Sequence, residues 1–131
     1  MYLLDSNICI YIINQNPRSV VEKIKKFKPN QIKLSSISIG ELEYGVSKSP
    51  NRERNRNALL DFSSCFDIVD FNDEDAEIFG IIRSDLERRG QIIGPYDMQI
   101  ASQAISRDLI LVTNNLKEFS RIPNLKLENW I

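Results

Sequence analysis

Short, mainly apolar runs alternate along this chain with longer segments in which apolar positions recur every three or four residues. The runs are Tyr2–Leu4, Ile32–Ser35, Phe66–Val69, Leu109–Val112 and Leu125–Leu127. Continuous stretches of this kind predict strands buried on both faces. Between them, Ser6–Ile13 is apolar and predicts a helix that stops before Asn16-Pro17. In Ser19–Phe27, Val20, Val21, Ile24 and Phe27 have helical spacing, lysines take the other face, and Pro29 ends the element. Ser38-Ile39-Gly40-Glu41 has the Ser-x-x-Glu form of a capping box and predicts a helix from Ser38 to about Val46. Arg52–Ser64 is a polar helix with Leu59, Leu60 and Phe62 turned inward. Asp73–Arg89 is the longest helix, with Ala76, Phe79, Ile82 and Leu86 inward, Arg83 intruding on that face and Gly90 beyond its end. Gly94–Asp97 reads as a turn before a helix over Met98–Ser106, and Thr113–Phe119 as a loop with a short helix.

Strands alternating with helices predict an α/β fold around a parallel sheet covered on both faces. No repeat, low-complexity tract or Gly/Ser linker interrupts the chain, so residues 1–131 are read as a single domain. Hydrophobic residues make up 42% and charged residues 27%, which excludes a disordered or fibrous chain. Most informative is the absence of histidine. It removes His general bases, Ser-His and Cys-His nucleophiles and every His-containing zinc site. Cys9 and Cys65 are too few for an all-cysteine zinc site and form no disulfide framework, so a reducing cytoplasm is the expected compartment. No signal peptide and no membrane span are read. The formal net charge is −1, but the charge is uneven. Arg18 to Lys33 holds six bases and one acid, whereas Asp67 to Glu77 holds six acids and no base. A basic flank of this kind suits a phosphate backbone or, equally, a solvated helix face.

Acid–base and metal chemistry therefore falls to carboxylates, and four acids hold suggestive positions. Asp5 follows the first strand, Glu41 lies in the first turn of a predicted helix, Asp97 opens another, and Glu118 follows the strand Leu109–Val112. Parallel strands present their C-terminal ends along one edge, where open α/β sheets bind ligands. Four carboxylates gathered there raise one another's pKa and call for a hard cation, Mg²⁺ or Mn²⁺. Each acid also has a structural alternative: Asp5 and Asp97 as helix N-caps, Glu41 in its capping box, Glu118 as an exposed helix residue. Neither Gly-rich nucleotide-binding motif occurs.

Four segments carry a family likeness: Leu3-Leu4-Asp5-Ser6-Asn7, Ser35 to Gly45 around Glu41, Gly94 to Ala101 around Asp97, and Leu111 to Phe119. In this order and spacing the chain resembles PIN-domain proteins, most closely the VapC toxins of type II toxin–antitoxin pairs, over essentially its whole length. The resemblance implies a three-layer α/β/α PIN-like domain with a central, mainly parallel sheet of four to five strands. It implies a Mg²⁺-dependent ribonuclease in which Asp5 and Asp97 bind metal and Glu41 and Glu118 complete the acidic cluster. Ser6 keeps the hydroxyl that Thr supplies in most members. Asn115 stands where many PIN domains carry an Asp, which makes Glu118 the fourth acid and puts a second metal in question. Ser6, Asn7, Thr113, Asn114 and Asn115 are candidates to orient the carboxylates, with a polar turn as the alternative for the last three. Tyr96 has two readings, packing on its own turn or stacking on a base. Arg18, Lys23, Lys25, Lys26, Arg52, Arg54 and Arg56 are candidates for the RNA backbone. The resemblance further implies structured RNA, above all tRNA, as substrate, a VapB-type antitoxin as partner, operator DNA bound through that antitoxin, homodimers, and arrest of translation by the free toxin.

Two other functions fit the same residues. One is a phosphohydrolase with Asp5 as covalent nucleophile, although Asn7 stands where that chemistry places a second Asp. The other is a non-catalytic RNA- or protein-binding module.

Overall fold

Strand β1 (Tyr2–Leu4) lies at the centre of a five-stranded, all-parallel sheet in the computed structural model, which describes all 131 residues. On one side it pairs with β2 (Ile32–Ser35), which pairs with β3 (Asp67–Val69). On the other side it pairs with β4 (Ile110–Val112), which pairs with β5 (Leu127–Glu128). The order is β3-β2-β1-β4-β5, so the direction of strand addition reverses between β1 and β4. Register places Leu4 beside Val112, and the residues that follow, Asp5 and Thr113, leave the sheet side by side at its C-terminal edge.

Helices α1 (Ser6–Ile13), α2 (Arg18–Ile24), α3 (Ser36–Ser47), α4 (Arg52–Ser63), α5 (Asp73–Arg88), α6 (Pro95–Ser106) and α7 (Leu116–Phe119) cover both faces. Strand alternation divides the core in two. Leu3 and Leu111 join Ile82 and Leu86 of α5, Met98, Ala101 and Ala104 of α6, and Phe119 of α7. Leu4, Leu34 and Val112 join Ile8 and Cys9 of α1, Val20 of α2, Leu42 of α3, Leu59 of α4 and Trp130. The three-layer arrangement expected from the sequence is present.

Several elements differ from expectation, each for a local reason. Helix α3 starts at Ser36, because Ser35 itself caps it: its hydroxyl accepts from the Ile37 amide at 3.0 Å. Ser38 is thus buried inside the helix, its hydroxyl unpartnered, and no Ser38–Glu41 capping box forms. Helix α6 starts at Pro95 rather than Met98, with Gly94 at the N-cap, so Asp97 lies within its first turn. Helix α2 ends at Ile24, short of Phe27, and the last strand is Leu127–Glu128. Leu60 faces solvent while Leu59 is buried.

The buried face of α5 also shifts. Ala76 is exposed, and Asp75 is buried in its place. Arg83 points outward and pairs with Glu87. Asp75 is tolerated inside because its carboxylate is fully bonded. It accepts from the Asn72 amide at 2.8 Å in a capping box, from Ser106, and from Arg107 at 2.6 Å. Burial alone raises this carboxyl, but the Ser106, Arg107 and Asn72 hydrogen bonds together hold it below the usual range. One residue thus joins α5 to the end of α6. Asp75→Ala leaves Arg107 without its partner and unpins the start of α5, and urea unfolding is expected to show a loss of about 3 kcal/mol. A loss below about 1 kcal/mol marks the pair as dispensable.

Candidate active site at the strand-order reversal

The site is built on Asp5, whose backbone amide donates to Val112 O at 2.9 Å and so continues the β1–β4 ladder. Its side chain caps α1, accepting from the Ser6 amide at 2.8 Å. Its other oxygen accepts from the Thr113 hydroxyl at 2.8 Å. The residue is 6% exposed. Burial raises its carboxyl above the usual range, and the Thr113 and Ser6 hydrogen bonds oppose that rise. The helix cap thus occupies only one of the two carboxylate oxygens. Burial, and then the Asp5 charge, push the buried Cys9 thiol up, which leaves it inert at neutral pH.

Glu41 lies on the second turn of α3 and accepts from the Ser6 hydroxyl at 2.9 Å. Because Ser35 caps α3, Glu41 is free for this contact. Glu118, on α7, is held by Asn115, which caps that helix: the Asn115 side-chain amide donates to the carboxylate at 2.9 Å. Thr113 accepts from the Asn115 backbone amide at 3.0 Å, so one hydroxyl links the first and fourth acidic segments. Asp97 completes the group. No hydrogen bond from the protein stabilises its carboxylate, which burial and then the charges of Asp5, Glu41 and Glu118 push up to about 6.

Asp5, Glu41, Asp97 and Glu118, which come from four distant segments, thus share one electrostatic environment. None of them is in an ion pair with Lys or Arg. No three acids stand close enough to grip a single ion together. A tight four-carboxylate cage is therefore absent, and the site is a wider bowl. The donors are all hard oxygens, and the Asp97 carboxylate is unpartnered. This fits a divalent cation such as Mg²⁺, which takes one or two carboxylates and keeps its remaining waters.

The auxiliary residues divide. Ser6, Thr113 and Asn115 hold carboxylates. Asn7 is exposed on α1 and makes no bond to the acids, and Asn114 donates instead to the Tyr11 hydroxyl at 2.9 Å. Among the basic candidates, Arg18 pairs with Glu22, Lys23 with Glu128 and Arg56 with Glu43. Lys25, Lys26 and Arg52 lie outside every ion pair and are exposed. Arg54 lines a groove of about 570 Å³ that also contains Glu41 and Asn14. Tyr96 is 58% exposed, so most of its ring faces solvent. Tyr44 has no strong signal in the sequence, although it lies three residues beyond Glu41 on the same helix.

A family model of the PIN domain matches residues 2–125. The chain is 49% identical to Ribonuclease VapC2 of Rickettsia felis, over 99% of its own length and 98% of the relative's. It is 40% identical to the tRNA(fMet)-specific endonuclease VapC of Salmonella typhimurium, over 98% and 97%. Its fold is similar to that of a chain in the crystal structure of VapBC2 from Rickettsia felis bound to a DNA fragment from their promoter. The TM-score is 0.93 at 48% identity, covering 99% of this chain and 98% of the other.

The raised Asp97 carboxyl, at about 6 against 3.8 for an ordinary Asp, makes the metal-free fold proton-dependent. Between those two values the folded state binds the extra proton, so stability falls as pH rises toward 6 and levels off above it. Asp97→Asn removes the repelling charge. In EDTA at pH 7 it is expected to stabilise the protein by about 1 kcal/mol, after discounting for the solvent-facing part of the side chain. Urea titrations of both proteins at pH 5 and 7 check this, and an Asn variant no more stable than the parent contradicts it.

Proposed function

The chain belongs to the PIN-domain family and, within it, to the VapC ribonucleases, and on that premise we propose that it is a Mg²⁺-dependent endoribonuclease whose metal ligands are Asp5 and Asp97. The observation that carries this reading is the Asp97 carboxylate: partly buried, unpartnered, and facing three other acids without a neutralising side chain. Such an arrangement is costly for a fold on its own and suits a site completed by a cation.

Asp5 is the fixed ligand, both of its oxygens already oriented by Ser6 and Thr113. Asp97 is the adaptable one. Glu41, steadied by Ser6, and Glu118, steadied by Asn115, are placed to orient water and to accept a proton. A Mg²⁺ held by Asp5 and Asp97 would supply charge neutralisation at the phosphate and would lower the pKa of water. Water attacks phosphorus in line with the departing O3′, leaving a 5′-phosphate and a 3′-hydroxyl. With no histidine in the chain, carboxylates carry the proton transfers. A phosphohydrolase using Asp5 as nucleophile has less support, because Asp5 is nearly buried and Asn7 points to solvent.

The substrate read for this chain is tRNA, by analogy with the Salmonella typhimurium relative. Its partner is a VapB-type antitoxin, through which the pair binds its own promoter DNA, as the Rickettsia felis complex does. Free toxin then stops translation by destroying tRNA, and the antitoxin relieves the block.

Purified protein incubated with initiator tRNA and Mg²⁺ is expected to give discrete fragments with 5′-phosphate ends, and EDTA to abolish them. Asp5→Asn and Asp97→Asn each lower the cleavage rate by about a hundredfold or more, since each weakens a contribution of several kcal/mol. Intact tRNA with the wild-type protein, or full activity in Asp97→Asn, overturns the assignment.

A further inference from the structure

One face of α3 presents Ile37, Gly40, Glu41 and Tyr44, residues at the helical spacing i, i+3, i+4, i+7. Together with Ser36 and Tyr96 they line a cleft of about 690 Å³, within the range of small-molecule sites. The two tyrosines are 66% and 58% exposed, a large area of aromatic ring to leave open to solvent. Lys48 sits 4.8 Å from the centre of the Tyr44 ring but is not part of the cleft wall, so it covers one ring face and leaves the other to the cleft.

Gly40 adds an independent observation. A glycine inside a helix weakens it relative to alanine. Here a Cβ would meet no atom within 4 Å, so the fold itself does not require the glycine. The cleft does, if something lies flat against its floor.

Building on the ribonuclease reading, we propose that this cleft is a nucleobase subsite in which Tyr44 and Tyr96 stack an unpaired base flanking the scissile phosphate. Glu41 sets the register: it is both a wall of the cleft and a member of the acidic cluster, bonded to Ser6. A base held between the tyrosines delivers its adjoining phosphate to Asp5 and Asp97. Aromatic faces accept any base but only an unstacked one, so the subsite selects loops over duplex. Tyr44 and Tyr96 are specificity-determining residues and take no part in the chemistry.

The test uses an RNA stem-loop carrying one 2-aminopurine in its loop, with binding measured in EDTA and cleavage in Mg²⁺. Wild-type protein quenches the probe by stacking. Tyr44→Ala and Tyr96→Ala lose the quench and bind about tenfold more weakly, while Tyr44→Phe and Tyr96→Phe match the wild type. Gly40→Ala raises the Tm by about 2 °C yet weakens binding to the stem-loop. Alanine variants that bind, quench and cleave like the wild type overturn the subsite and leave the ribonuclease reading intact. Alanine variants that keep RNA affinity but lose antitoxin affinity assign the cleft to the protein partner and overturn the subsite too. A wild-type protein that cleaves no RNA overturns both.

Discussion

Repulsion among carboxylates is the constraint around which this molecule is arranged. Four acids from segments far apart in sequence meet where the strand order reverses, and no lysine or arginine is set against them. The rest of the fold holds that charge in place. The strand that carries Asp5 is the sheet's middle one, with Leu3 and Leu4 fully buried in separate cores on its two faces. Restraint of the acids falls to neutral donors: the Ser6 and Thr113 hydroxyls, the Ser6 amide and the Asn115 side chain. Neutral donors orient a carboxylate without cancelling its charge, so the negative potential of the site persists.

This division of labour separates stability from activity. Asp75 and Arg107 show how the same fold treats a buried acid that serves structure: the carboxylate is saturated with donors and paired with a guanidinium. Asp97 has neither. The contrast between these two aspartates, one satisfied and one left unsatisfied, is the clearest physical mark distinguishing scaffold from site.

Much of this is legible in the sequence because apolar runs and the residues that follow them are local signals. Asp5 can be located at the end of a buried strand, and the absence of histidine leaves carboxylates as the main candidates for the chemistry. The adjacency of β1 and β4 is only conditional at that level, since it depends on which strands pair across more than a hundred residues. The start of α3 is misread because two serines compete for the cap, and Ser35 wins by standing at the strand's last position. The burial of Asp75 is not readable: in an acidic run it looks solvated, and the arginine that compensates it lies 32 residues further on. Asn114 goes with its neighbours by proximity in sequence, yet a side chain in a tight turn changes direction from one residue to the next, and it reaches Tyr11.

The placement of β1 has a consequence for folding. Strand β1 gains its second neighbour only when β4 is present, more than a hundred residues later in the chain. Asp5 therefore gains its neighbours Thr113, Asp97 and Glu118 only when later segments fold back onto β1. Contacts of such sequence separation close slowly, so this corner of the sheet forms late in folding.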